Sequence, residues 1–159
     1  MKNYLLLLAV AASVSLSSCG NDDDEVTPKT KTELLTASGW KATSLTVSPA
    51  IDFNMDGTPD SDLMQFVDAC SKDDITTFKT DKTYTEDEGA TKCDPADPQV
   101  FATGNWTFNG DETAVTLTET GATQSDTYTI AELTENTLKY TQTETISGQT
   151  YTFTGTFSH

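Results

Sequence analysis

Between residues 104 and 157, apolar side chains recur at every second position in five short runs. Because successive side chains of a strand point to opposite faces, this spacing places the apolar residues of each run on one face of a β-strand. Thr, Ser, Asn and Glu fill most of the alternate positions, which suits a solvated face. Pairs such as Asn109-Gly110 and Ser147-Gly148 separate the runs and favour tight turns. The pattern predicts a β-meander whose apolar face must close on itself or pack against a second sheet.

The first predicted strand, residues 40–47, has an interrupted alternation. Trp40 and Ala42 share one face, whereas Leu45 and Val47 share the other. A β-bulge near Ser44 would bring both pairs to the same face. A strand that is buried on both faces is the alternative.

A hairpin follows, in which Phe78 and Tyr84 are expected to point inward. Together with the meander it gives eight predicted strands, at residues 40–47, 74–79, 83–87, 104–109, 113–119, 125–132, 137–145 and 149–157. Two short helical segments are also expected. One is a single turn at residues 32–35 that caps one end of the domain. The other spans residues 63–70, where Leu63, Phe66, Val67 and Cys70 have helical spacing.

The charge of the chain limits its partners. It has 159 residues, 25 of them acidic against 9 Lys and no Arg, and a formal net charge of −16. Such a chain should repel nucleic acids and anionic lipid surfaces. The single His is the C-terminal residue, His159, so much of the usual catalytic set is missing.

The N-terminus predicts export. Lys2 precedes an apolar run over residues 4–14, and Leu16-Ser17-Ser18-Cys19 has the order of a bacterial lipobox. We therefore expect a lipoprotein signal peptide at 1–18, an acidic disordered tether at 19–33 and the β domain at 34–159. Cys19 would carry acyl chains such as palmitate, which anchor firmly when more than one is present. An ordinary signal peptide with a stray thiol at Cys19 is the alternative.

One acidic loop has the spacing of a metal site. A Ca²⁺ ion takes about six to eight oxygen ligands, which a loop turning at Gly57 could supply. The candidate ligands are Asp52, Asn54, Asp56, Thr58, Asp60 and Asp62. The alternative is a solvated loop in which Asp60 or Ser61 caps the helix that follows.

Two cysteines remain after Cys19 is assigned to lipidation. In an exported protein, Cys70 and Cys93 most simply form a structural disulfide. A redox-active pair fits less well, because there is no C-x-x-C motif and no basic neighbourhood.

Five segments follow one another in a fixed order: GWKATS at 39–44, CSKDD at 70–74, FKTDKTY at 78–84, KCDP at 92–95 and GNW at 104–106. Together, over roughly residues 34–157, they resemble the lipocalin-like lipoproteins of the Bacteroidetes. The resemblance implies an all-β, eight-stranded antiparallel up-and-down barrel and a Cys70–Cys93 bridge, and it supplies no catalytic residues. The acidic run at 21–25 also resembles the surface-export signal of lipoproteins in this group. A solvated spacer of an inward-facing lipoprotein is the alternative.

An eight-stranded barrel can be filled by side chains or can hold one small ligand. The candidate interior residues are Trp40, Trp106, Phe108, Tyr128, Tyr140, Tyr151 and Phe153. As a pocket they would favour an apolar or aromatic ligand; as a core they would exclude water.

Three functions follow from these observations. The first is a non-catalytic binding module, lipid-anchored in the outer membrane and displayed on the cell surface. The second is an interaction protein with a filled barrel that acts through its loops. The third is an enzyme, whose candidate acids Asp73 with Asp74, or Glu86 with Glu88, lie in polar runs and are expected to be solvated.

Overall fold

The protein forms a closed antiparallel β-barrel, described by a computed structural model over residues 27–159. One α-helix, nine strands and two 3-10 turns make up this part of the chain. They are α1 (Lys31–Leu35), β1 (Trp40–Ile51), β2 (Asp60–Asp62), the 3-10 turns Met64–Phe66 and Ala69–Asp73, β3 (Ile75–Phe78), β4 (Thr83–Asp87), β5 (Val100–Phe108), β6 (Ala114–Glu119), β7 (Asp126–Leu133), β8 (Leu138–Ile146) and β9 (Gln149–Ser158). None of the helical segments within residues 27–159 is long and apolar enough to cross a membrane.

Most of the predictions for the N-terminus concern residues that the structure does not describe. The signal peptide at 1–18, the lipidated Cys19 and the tether as far as residue 26 lie outside them. Residues 31–33, which the sequence assigns to the tether, form the first turn of α1.

Eight strands form the ring, as the sequence predicts. Strands β3 to β9 pair in chain order, and β1 closes the ring by pairing with both β3 and β9. The short strand β2 lies outside the ring, because it pairs only with the far half of β1 through Thr46–Asp62 and Ile51–Asp60.

The predicted bulge in β1 is confirmed. Ala42 lies opposite Phe157, and Ser44 lies opposite the next residue of β9, Thr156. Two steps along β1 therefore match one step along β9, which leaves Thr43 as the extra residue. The bulge restores the inward direction for Val47, which is 3% exposed.

The helix predicted over residues 63–70 is wrong. The segment contains two 3-10 turns, separated by Val67 and Asp68, which have extended ψ angles of 129° and 146°. An eight-residue helix is marginal without tertiary support. Here the backbone N–H of Met64 donates to Asp62 Oδ1 at 2.9 Å, which stabilises a local turn.

The predicted helical turn is confirmed as α1, which covers one end of the barrel. Thr30 and Glu33 form a reciprocal capping box. Leu35 is fully buried, and its carbonyl accepts a hydrogen bond of 2.9 Å from Trp40 Nε1. This contact joins the helix to the barrel core, whose buried members are Leu35, Trp40, Phe78, Tyr84, Trp106, Val115 and Leu138.

Candidate functional site

A cavity of about 230 Å³ lies inside the barrel next to this core, and we call it the aromatic chamber. Core residues such as Trp40 and Phe78 form part of its wall, and the segment from Ser71 to Asp74 contributes to another part. Its lining consists of Trp40, Ala42, Ser71, Asp74, Ile75, Thr76, Phe78, Glu86, Phe101, Val115, Leu117, Tyr128, Leu138, Tyr140 and Phe157. Most of these side chains are apolar or aromatic, so the chamber suits an apolar group.

Strand alternation and one glycine place the aromatic wall. Tyr128 and Tyr140 lie on neighbouring strands with ring centroids 4.5 Å apart, and the rings of Tyr140 and Phe157 are 5.3 Å apart. A Cβ at Gly155 would lie 2.9 Å from Cζ of Tyr140 and 2.9 Å from Cε2 of Phe157. Gly155 therefore gives the Tyr140 ring room to lie against β9, because a larger residue there would collide with it.

A second cavity of about 240 Å³ adjoins the first, and we call it the acidic chamber. It is lined by Tyr84, Glu86, Leu117, Glu119, Ala122, Gln124, Asp126 and Tyr128. The two chambers share Glu86, Leu117 and Tyr128. Glu86 therefore stands between an aromatic compartment and an acidic one.

The pKa values of two carboxyl groups in these walls, Glu86 and Asp74, are raised. Burial raises the pKa of Glu86, and the neighbouring carboxylates of Glu119 and Asp74 raise it further. Burial also raises the pKa of Asp74, with a further contribution from Glu88, Asp73 and Asp87. In both cases the ionised form is disfavoured because it loses water and faces like charges.

The pKa values of two tyrosines that line the aromatic chamber are also raised. Burial and the nearby Tyr140, Asp126 and Glu86 raise the pKa of Tyr128 to about 12. Burial and Glu86 also raise the pKa of Tyr140. Both hydroxyls stay protonated at neutral pH and can donate a hydrogen bond.

The carboxyl groups have no cationic partner in the part of the chain that the structure describes. Its one ion pair, Lys29–Glu135 at 2.8 Å, lies on the surface with both side chains more than half exposed. Neither chamber is lined by Lys or by the C-terminal His159. Asp74 Oδ1 is buried without any hydrogen-bond partner among residues 27–159.

The seven residues predicted to line a cavity separate into three groups. Trp40, Tyr128 and Tyr140 line the aromatic chamber. The other four do not line it. Trp106 and Phe108 pack edge to face with ring centroids 5.1 Å apart. Tyr151 and Phe153 lie half-buried on β9.

Trp106 belongs to the packed core. Its Nε1 donates a 3.0 Å hydrogen bond to the carbonyl of Lys79, and its ring centroid lies 6.0 Å from that of Phe78. The Lys82 ammonium lies 3.8 Å from the centroid of the indole, close enough for a cation–π interaction. These contacts occupy the indole fully, so it is not available to a ligand.

The expectation that the paired acids are solvated is wrong for Asp74 and Glu86, which line the aromatic chamber. Sequence reasoning also missed Glu119 and Asp126, which are exposed but line the acidic chamber. A signal was present, because Glu119 lies two residues after Leu117 and Asp126 lies two before Tyr128, and spacing by two shares a face. A carboxyl group on the same strand face as an inward apolar residue therefore indicates an acidic part of the cavity lining.

The Asp-rich loop connects β1 to β2 and is held by its own side chains. Asp52 Oδ1 and Oδ2 accept hydrogen bonds from the backbone N–H groups of Asp56 and Gly57, at 3.0 and 2.9 Å. Asp56 Oδ1 accepts from the N–H of Thr58 at 2.8 Å. Hydrogen bonds from Asn54 and Thr58 lower the pKa of Asp56, so this carboxylate is ionised at neutral pH.

The remaining candidate ligands lie at the end of the loop. Asp60 Oδ1 accepts from Gln65 Nε2 at 3.2 Å, and Asp62 Oδ1 caps the N–H of Met64. No group of three or more His, Cys, Asp or Glu side chains within residues 27–159 is placed to hold a metal ion. Calcium binding by this loop therefore stays a prediction, because Asn54 and the Thr58 carbonyl would have to complete the ligand set.

The disulfide between Cys70 and Cys93 is present. It joins the second 3-10 turn to the long loop between β4 and β5. Ser71, the neighbour of Cys70, lines the aromatic chamber, so the crosslink supports one part of the chamber wall.

Comparison with known proteins was made at two levels. A family model described as a lipocalin-like domain matches residues 38–140, which is more than half of the chain. The match includes the strands β1 to β7 and the start of β8, and hence most of both chambers. No curated protein matches the chain.

Proposed function

This chain belongs to the lipocalin-like domain family, and we propose that its barrel is a non-catalytic binding module for a small, mainly apolar ligand. The observation that carries the proposal is the aromatic chamber, an interior cavity with rings on several strands. Its volume of about 230 Å³ is below the ~300–1,000 Å³ typical of pockets for drug-sized molecules. The expected ligand is therefore small, with one or two rings or a short chain.

The two tryptophans permit a direct test, because Trp40 lines the chamber and Trp106 does not. We would titrate the neutral quencher 4-nitrotoluene into wild-type protein, Trp106→Phe and Trp40→Phe, and follow tryptophan fluorescence. Quenching should saturate, and it should persist in Trp106→Phe, where only Trp40 emits. In Trp40→Phe the remaining signal should change little, since Trp106 lines neither chamber.

A pair of alanine variants supplies the control. Ala42→Leu adds volume to the chamber wall and should weaken probe binding, whereas Ala131→Leu adds the same volume on an exposed position of β7 and should not. Circular dichroism would establish that each variant is folded. Failure of every neutral or charged probe of this size to bind, together with no co-purified ligand in native mass spectrometry, would refute the proposal.

The second candidate is an interaction protein that uses its loops. The observation in its favour is that Phe53 and Met55, in the loop after β1, are 54% and 89% exposed. Trp106 and its neighbours also fill the part of the barrel near α1. This candidate predicts that Ala42→Leu keeps full function in the cell, while Met55→Ser or Phe53→Ser loses it.

We further propose that the protein is lipid-anchored through Cys19 in the outer membrane and displayed on the cell surface. The lipobox sequence and the acidic run at 21–25 support this location. Cys19→Ser should move the protein from the membrane fraction to the soluble fraction. Protease treatment of intact cells should remove the wild-type barrel if it faces outward and spare it if it faces inward.

A further inference from the structure

The charged side chains that line the two chambers all carry negative charge. Asp74 and Glu86 line the aromatic chamber, and Glu86, Glu119 and Asp126 line the acidic chamber. Glu86 lines both chambers, so it shares the wall of the aromatic chamber with Asp74 and the wall of the acidic chamber with Glu119. The remaining polar lining groups are hydroxyls and one amide, so the charged lining groups of both chambers are all anionic.

Such an arrangement is unfavourable unless a cation offsets it. A buried charge is normally paired or hydrogen-bonded, because burial removes its hydration. In the part of the chain that the structure describes, Asp74 Oδ1 is buried without a hydrogen-bond partner, and neither Asp74 nor Glu86 is within ion-pair distance of a cationic side chain. An ammonium group has three hydrogen-bond donors and a positive charge, so it would supply both the missing hydrogen bond and the missing cationic partner.

We propose that the ligand of the aromatic chamber is a small primary amine with an apolar or aromatic body. Its ammonium group lies beside Glu86 and Asp74, and its apolar part lies against Trp40, Tyr128 and Tyr140. This inference rests on the proposed binding function and names the chemical class of the ligand.

The aromatic wall supports the same class. Rings within about 6 Å of a cation attract it through their negative faces. Trp40, Tyr128 and Tyr140 offer such rings in the chamber wall. The barrel already uses this contact elsewhere, because the Lys82 ammonium lies over the Trp106 ring. An uncharged body with a cationic end therefore matches both the aromatic side chains and the carboxyl groups of the chamber.

The test uses three probes of nearly equal size that differ in charge: 2-phenylethylamine, 2-phenylethanol and phenylacetate. Binding would be measured by calorimetric titration of the full domain at neutral pH. A salt concentration of ~0.15 M limits long-range electrostatic attraction to about 8 Å. The amine should bind at least about ten-fold more tightly than the alcohol, the scale of one charge-assisted hydrogen bond. Phenylacetate should bind least.

Two variants separate a local effect from the net charge of the protein. Glu86→Gln and Glu132→Gln remove the same charge, but Glu132 is exposed on β7 and lines neither chamber. Glu86→Gln should reduce the preference for amine over alcohol several-fold, and Glu132→Gln should leave it unchanged. Asp74→Asn should reduce it as well, which provides a second variant should Glu86→Gln alter the fold.

The outcomes distinguish this inference from the function on which it rests. If the alcohol binds as tightly as the amine, or Glu132→Gln reduces the preference as much as Glu86→Gln, the amine assignment is overturned while the binding module stands. If none of the three probes binds and 4-nitrotoluene also fails, the binding function itself is overturned. Preference for the amine that depends on Glu86 supports both.

Discussion

Replacing Gly104 by alanine tests the packing that shapes the acidic chamber. Gly104 is a buried residue of β5, paired with Tyr84 on one side and Glu119 on the other. An added Cβ would collide with the carbonyl oxygen of Thr118, and it would lie 2.6 Å from Cε1 of Tyr84 and 2.9 Å from Cα of Glu119. Two of these three obstacles are backbone atoms, which cannot rotate away as a side chain can.

The expected loss of stability follows from that geometry. Overpacking by one methyl group typically destabilises a protein by ~1–3 kcal/mol, and here the upper half of the range applies because backbone must move. Removing the flexibility of glycine from the unfolded chain offsets ~0.4–1 kcal/mol. The net loss is about 2 kcal/mol. With an unfolding entropy of ~2.1 cal/mol/K per residue over about 130 residues, the melting temperature should fall by ~7 °C.

Thermal and denaturant unfolding of Gly104→Ala would measure this loss, with Gly110→Ala as the matched control. Gly110 lies in the turn after β5, and a Cβ there would meet no heavy atom within 4 Å. Its substitution should change the free energy of unfolding by less than about 0.5 kcal/mol. Equal effects for the two alanines, or a Gly104→Ala protein as stable as wild type, would refute the close packing of Tyr84 over β5.

Three other experiments address the site and its supports. Because burial raises the pKa of Glu86 in the folded state, its contribution to stability is present below its unfolded pKa of ~4.3 and is lost as pH rises through the folded value. Glu86→Gln should therefore raise the melting temperature at pH 7, and the gain should vanish in melts below about pH 4; a gain independent of pH would contradict this. Replacing both Cys70 and Cys93 by serine should lower the free energy of unfolding by about 3 kcal/mol, and reduced wild-type protein should lose the same amount in urea titrations. Millimolar Ca²⁺, with Mg²⁺ as the control ion, should raise the melting temperature of wild type but not of Asp56→Ala if the Asp-rich loop binds calcium, and no shift in wild type would end that prediction.

The amino-acid sequence by itself determined the strands and their faces. Alternation of apolar and polar residues is a local property, so it located all eight strands of the ring to within a few residues. It also located the bulge near Ser44, because a change of face within one strand has few other solutions. The single helical turn predicted at residues 32–35 corresponds to α1, which spans Lys31–Leu35.

Only the tertiary structure decided how the interior is used. Trp106 and Tyr140 both point inward from their strands, yet the first is packed into the core and the second faces a chamber. That difference depends on neighbours brought together by strand pairing, such as Gly155 beside Tyr140. The raised pKa of Glu86 has the same origin, because burial and two carboxylates distant in the sequence act on it together. Local alternation sets which face a side chain occupies, but the volume and charge on that face are sums over strands that only folding brings into contact.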